Sequence, residues 1–239
     1  MTQDQHQSGS TRRDFLRQSA AGAAALAMLA SIDDYRTVRA QTDERNNTMS
    51  NIKGTQTEKN LLKAFAGESQ ARGRYTMFSA IASDEGFERV AAAFLKTAEQ
   101  ERVHAEKFFA YLETGEGLEI TAAYPAGKIS KTADNLLAAA NGELEEWDVL
   151  YPAFARTARE EGFVEVSRTF TAIAISEKQH EKQYRGLLAH LEAGTLFRRD
   201  NVVWYCRHCG FVAEGGSAPA VCAACRQPQA FFEILAENW

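Results

Sequence analysis

Proline is scarce in this chain, four in 239 residues. Few helix breakers, with abundant Ala, Glu and Leu, point to a helical protein. Cysteine is equally scarce and confined, with all four between positions 206 and 225. That clustering argues against a scattered disulfide framework and for a metal site. An excess of positive charge is missing, since the net charge is -5. This balance gives no support to a nucleic-acid or anionic-membrane partner. The Ala-rich stretch from Ala20 to Ala30, about a dozen residues, is too short to span a bilayer. What remains is 45% hydrophobic and 25% charged, enough for one good core and a small satellite domain.

Residues 1–50 read as a signal and linker. Ser10-Thr11-Arg12-Arg13-Asp14-Phe15-Leu16-Arg17 precedes the modest apolar run. A twin arginine with Phe and Leu at this spacing resembles a twin-arginine export signal. The expected location is therefore the periplasm, with the cytoplasm as the alternative. Val38-Arg39-Ala40 is a tolerable small-x-small cleavage site.

Residues 51–196 contain an internal repeat. Asn60-Leu61-Leu62 and Gly67-Glu68 recur as Asn135-Leu136-Leu137 and Gly142-Glu143, offset 75. Glu85-Gly86-Phe87 recurs as Glu161-Gly162-Phe163, and Glu101 with His104 recurs as Glu177 with His180, offset 76. Each copy reads as helix, glycine turn, helix. The predicted helices are 57–83, 87–113, 132–160 and 163–193. Thr132 is placed to cap the third, and Gly194 to stop the fourth. Pro152 should kink the third helix. The connection 115–131 is long enough to cross the bundle, which predicts an all-α, ferritin-like four-helix bundle with one long crossover.

The two Glu-x-x-His pairs carry the chemistry. Positions i and i+3 share a helix face, so each pair aims one carboxylate and one imidazole the same way. The chain has five histidines, and two fall in these pairs. Glu68 and Glu143, on the other two helices, complete the four-carboxylate, two-histidine set of a di-metal bundle. Mixed oxygen and nitrogen ligation with redox cycling favours iron, with manganese as the alternative. Zinc fits the donors but excludes redox chemistry. Glu146, three residues after Glu143, is a seventh candidate ligand whose repeat counterpart is Ala71. It could bind one metal in one oxidation state and leave in the other. Tyr75 and Tyr151 lie two turns beyond Glu68 and Glu143, placed to donate hydrogen bonds to ligand carboxylates.

Residues 201–239 form a separate small domain. Cys206-x-x-Cys209 and Cys222-x-x-Cys225 are separated by twelve residues. Two such pairs in a short domain make a tetrahedral four-thiolate site, for a structural zinc or for an iron that delivers electrons to the adjacent bundle. Trp204, Tyr205, Phe211, Phe231 and Phe232 are candidates for its core, and the metal is needed to stabilise so small a fold. His208 reads as a surface residue.

These features together resemble the rubrerythrin family. The resemblance rests on Gly67-Glu68-Ser69-Gln70-Ala71-Arg72, Glu101-Arg102-Val103-His104-Ala105-Glu106, Gly142-Glu143 with Glu146, Tyr151-Pro152, Ala174-Ile175-Ser176-Glu177-Lys178-Gln179-His180-Glu181 and the four cysteines. It covers about residues 51–239. It implies a di-iron centre held by Glu68, Glu101, His104, Glu143, Glu146, Glu177 and His180, with Tyr75, Tyr151 and Glu146 assisting catalysis. It also implies one iron on Cys206, Cys209, Cys222 and Cys225 in a rubredoxin-like domain. Ala223 stands where such knuckles usually carry proline. The implied function is a non-haem di-iron peroxidase of oxidative stress defence. It would reduce hydrogen peroxide to water with electrons relayed through the four-cysteine iron from a separate donor protein. A homodimer is implied, with the small domain of one subunit serving the bundle of another. The alternatives are a dioxygen-using oxidase or ferroxidase, and an iron-storage protein.

Overall fold

The computed structural model describes residues 51–112 and 115–236. The twin-arginine-type segment lies outside the described residues.

Four helical rods follow one another. Helix α1 spans Gln56–Asp84 and α2 spans Glu88–Phe109. The third rod is composite: α3 (Thr132–Glu145), a π-helical turn (Glu146–Leu150) and α4 (Tyr151–Glu160). Helix α5 spans Val164–Glu192. α1 lies along α2, and the third rod lies along α5. The segment 115–131 crosses between the hairpins without regular structure, tied down where the Tyr124 hydroxyl donates to the Lys63 carbonyl at 2.9 Å. This is the expected ferritin-like bundle with one crossover.

The kink expected at Pro152 takes a specific form. Proline has no N–H to give to the preceding turn. The helix widens just before it, and the Tyr151 N–H reaches the Glu146 carbonyl five residues back. Such a turn holds one residue more than an α-helical one. It accounts for the change in repeat offset, from 75 at Glu68 and Glu143 to 76 at Tyr75 and Tyr151.

The repeated Glu-Gly-Phe turns also have a physical cause. Gly86 and Gly162 sit at φ +81° and +89°, a region other residues avoid. The following Phe87 and Phe163 N–H groups close the turns on the Ala82 and Ala158 carbonyls, each at 2.7 Å. Each preceding glutamate caps the other hairpin. Glu85 accepts from the Thr132 N–H at 3.0 Å. Glu161 accepts from the Gln56 and Thr57 N–H groups at 3.0 and 2.8 Å.

Two expectations about the helix ends need correction. Thr132 does not cap its helix: it is the first helical residue, and its buried hydroxyl lacks a partner. Glu85 supplies the acceptor instead, while Asn135 binds the Ser130 N–H and carbonyl. Helix α2 ends at Phe109 rather than 113, because the Tyr111 and Leu112 N–H groups fold back onto Phe108 and Phe109 in tight turns.

The bundle core has two aromatic clusters. One contains Tyr75, Phe78, Phe94 and Tyr184. The other contains Phe108, Tyr151, Phe163 and Phe170. Each fully buried phenylalanine contributes about 1.5–3 kcal/mol.

The small domain is a three-stranded antiparallel sheet, β1 (Val203–Cys206), β2 (Val212–Glu214) and β3 (Phe232–Ile234), in the order β2-β1-β3. Trp204, Cys206, Cys222 and Phe232 are buried together with Ala218, and Phe211 and Phe231 pack against them. Tyr205 does not join them. Strand residues alternate in direction, so Tyr205 faces away between the buried Trp204 and Cys206.

Candidate metal centres

Glu68, Glu101, Glu143 and Glu177 are 0–1% exposed. His180 is also buried and His104 nearly so. They come from α1, α2, α3 and α5. Their ligand atoms form two overlapping groups: Glu68, Glu101, His104 and Glu177; and Glu101, Glu143, Glu177 and His180. Glu101 and Glu177 belong to both. Each group therefore has one glutamate and one histidine of its own and two shared carboxylates. His104 Nδ1 lies 2.9 Å from Glu101 and 2.9 Å from Glu177. His180 Nδ1 lies 2.7 Å from Glu177 and 3.1 Å from Glu101. The ring centroids are 5.9 Å apart.

The set does not satisfy itself. Glu68 Oε2, Glu101 Oε1, Glu143 Oε2, both Glu177 oxygens and His180 Nδ1 are buried without a well-aligned hydrogen bond, although His180 Nδ1 lies close to Glu177 and Glu101. Burying so many ionisable groups without compensation is very costly. Two divalent cations shared through Glu101 and Glu177 would use these orphaned atoms, and the oxygen and nitrogen donors suit iron.

The electrostatics show the same strain. Burial, then the neighbouring carboxylates, raises Glu68 and Glu146 well above the ordinary carboxylate range. Burial and Glu101 push Glu143 up to about 8. Burial also opposes ionisation of Glu101, yet hydrogen bonds from His104 and His180 hold it at about 2. Burial works against the imidazolium too, but hydrogen bonds to Glu101 and other glutamates raise His104 to about 9 and His180 to about 12. Without metal, protons hold the cluster together.

The two predicted tyrosines are crossed. Tyr75 on α1 donates to Glu143 on α3, and Tyr151 on α4 donates to Glu68 on α1, each at 2.5 Å. Burial raises both phenols, so both remain donors. Glu146 opens the π turn and is half-buried. Its carboxylate is outside both four-residue groups. Its Oε1 would lie 3.9 Å from a Cβ added to Gly67, an ordinary van der Waals contact, so the carboxylate sits close to the glycine before Glu68.

Three neighbours were not singled out for these roles from sequence. Gln100 Oε1 lies 3.1 Å from His180 Nε2, which orients the imidazole with Nδ1 toward the cluster. Tyr184 is fully buried and meets the Tyr75 ring edge-on at 5.5 Å. Trp147 donates from Nε1 to Glu181 at 2.7 Å, with Lys178 over its ring. The i, i+4 spacing of His180 and Tyr184 was the available signal for the second.

The four cysteines are free and gathered into one group. Cys206 and Cys225 sulfurs are 3.8 Å apart, Cys209 and Cys222 sulfurs 3.6 Å. The edge of a tetrahedron with metal–sulfur bonds of about 2.3 Å is about 3.8 Å. Burial raises the Cys222 thiol, but backbone N–H groups of Cys225 and Ala224 outweigh it and bring it down to about 7. His208 is exposed, with its ring edge-on to Phe231.

A rubrerythrin family model matches residues 59–188, and a model of the rubrerythrin rubredoxin-like domain matches residues 204–233. The chain belongs to the rubrerythrin family. It is 56% identical over 189 residues to rubrerythrin of Porphyromonas gingivalis, covering 79% of this chain and 94% of that protein. It is 49% identical over 192 residues to rubrerythrin of Nitratidesulfovibrio vulgaris, covering 80% of this chain and 100% of that protein. Among solved structures, fully reduced, all-ferrous nigerythrin matches with a TM-score of 0.52 at 28% identity, over 79% of this chain and 95% of that one. As a rubrerythrin-family protein, the chain has a di-iron bundle and a rubredoxin-like four-cysteine iron domain. The family is one of oxidoreductases of oxidative stress.

Proposed function

We propose that this protein is a peroxidase that reduces hydrogen peroxide to water, with electrons entering through the four-cysteine iron. The observation that carries this reading is the pairing of two sites in one chain. A buried carboxylate–histidine cluster suits two irons, and a separate four-thiolate group suits one-electron delivery. Storage of iron has no use for the second site. The reaction is H2O2 + 2 e− + 2 H+ → 2 H2O. Iron at the bundle site would supply the two electrons and the Lewis acidity for O–O cleavage.

The chain's own residues do the rest. Glu68, Glu101, His104, Glu143, Glu177 and His180 hold the metals, with Glu101 and Glu177 shared. Tyr75 and Tyr151 fix the carboxylates of Glu143 and Glu68. Burial and Glu143 disfavour the Glu146 anion and raise its pKa well above the ordinary carboxylate range. That makes it a proton donor beside the cluster and a ligand held in reserve. The aromatic clusters exclude water. Cys206, Cys209, Cys222 and Cys225 hold the third iron. The assembly is a homodimer or larger homo-oligomer, served by a separate electron-donor protein.

The Arg12-Arg13 motif supports export to the periplasm. Export of a folded protein would fill the cysteines with metal before they met an oxidising compartment.

The test is a peroxide titration of anaerobic, fully reduced protein, following the visible absorption of the four-cysteine iron. Return of the ferric band at stoichiometric peroxide, faster than in air, supports the peroxidase. Return only with dioxygen would replace it with an oxidase.

A further inference from the structure

A groove of about 420 Å³ runs between the bundle and the small domain. Its bundle wall carries Arg89 and Lys96 from α2 and Lys182 from α5, and Arg198 and Arg199 follow α5. Its far wall carries Trp204 and Glu233. Five cationic side chains face one carboxylate in a protein whose net charge is -5. Glu233 is already engaged, 2.6 Å from Arg207 and 4.0 Å from Arg89. Arg199 contacts His190 at 2.7 Å. Among the described residues, Lys96, Lys182 and Arg198 have no carboxylate within 4.0 Å.

We infer that this groove is the docking surface for an acidic one-electron donor protein. Two observations select that occupant. The unpaired cations stand exposed on separate elements, an arrangement that steers a large anionic surface rather than gripping a small anion in a closed pocket. The groove also leads to the four-thiolate group. Trp204 shares a core with Cys206 and Cys222, and Arg207, tied to Glu233, lies inside the first cysteine pair. A donor seated here abuts the domain that receives its electron. One electron passes from the reduced donor to the ferric four-thiolate iron, leaving the donor oxidised and the iron ferrous, with no bond made or broken.

The inference rests on electron entry through that iron, so its test omits peroxide. Full-length holoprotein and the triple variant Lys96→Glu/Lys182→Glu/Arg198→Glu are compared. A second triple variant with Gln at the same positions guards against misfolding. Dissociation constants for an acidic flavodoxin are measured at low and high salt, and the rate at which reduced flavodoxin reduces the four-thiolate iron is followed by its visible band. Reduced methyl viologen, a small cation, is the reference donor. Charge reversal is expected to weaken flavodoxin binding and slow its electron transfer by roughly tenfold or more, with the Gln variant between. The salt dependence should flatten, and methyl viologen should reduce the variants no more slowly than the wild type. Unchanged flavodoxin affinity, a wild type that does not bind flavodoxin, or equal slowing with methyl viologen would each overturn the proposal. So would a shift in oligomeric state on charge reversal, because the groove would then be covered by a second copy. A failure of peroxide to reoxidise the protein bears on the peroxidase and leaves this measurement untouched.

Discussion

Loading the metal-free bundle should release protons, and the structure sets the number. At pH 7 His104 and His180, raised to about 9 and about 12, each carry an extra proton. Glu143, at about 8, is largely protonated, and Glu68 lies well above the usual range. Glu101, at about 2, is already ionised. Metal ligation needs neutral imidazoles and ionised carboxylates. Filling both positions at pH 7 should therefore expel about three protons from His104, His180 and Glu143, with any proton on Glu68 adding to them. The count follows from calorimetric titration of metal-free protein in buffers of different ionisation enthalpy, with zinc to avoid oxidation. Affinity should rise with pH, less steeply once Glu143 and His104 have lost their protons, because His180 still keeps its own. The metal-free protein should behave in the opposite sense. Glu143 and His104 have folded pKa values above their ordinary 4.5 and 6.5. Their stabilisation is complete below those ordinary values and is lost as pH rises through about 8 and about 9. Release of one proton or fewer, or a metal-free protein that gains stability from pH 5 to 9, would refute this account of the cluster.

Four further outcomes are expected. Tyr151→Phe removes the bond to Glu68 and should cost about 10–100-fold in metal affinity or peroxide turnover; equal kinetics in both proteins would show that the hydroxyl does nothing. Cys209→Ser should abolish the ferric visible band while leaving far-ultraviolet helical signal intact, since the bundle has its own core. Glu146→Ala should slow peroxide reduction, with helical content retained; unaltered turnover would remove Glu146 from the mechanism. Arg12→Lys with Arg13→Lys should leave the protein in the cytoplasmic fraction; undiminished periplasmic protein would sink the export proposal.

The legible parts of this chain were those with short-range spacing. Glu101 with His104 and Glu177 with His180 announce themselves because three residues return a helix to the same face. The cysteine pairs do so through their x-x gap. Geometry then brings together the six bundle residues and four thiols that spacing pointed to. The π turn was visible only as a one-residue change of offset between repeats. That change says a residue has been added but not how the backbone absorbs it. Glu85 and Glu161 as caps, and the crossed bonds of Tyr75 and Tyr151, depend on contacts between hairpins. No local pattern encodes them. Thr132 failed as a cap because a distant carboxylate took its place. Gln100 was hidden for a simpler reason: it sits beside a ligand on an exposed helix edge, where glutamine is ordinary.

The crossed tyrosines and crossed caps make each hairpin the finisher of the other. Glu68 is held by a hydroxyl from the second hairpin and Glu143 by one from the first. Neither half owns a complete metal position. A chain with one hairpin formed has its carboxylates unanchored and both metal positions open. Secure retention of iron thus becomes a certificate of finished folding, issued by the molecule to itself.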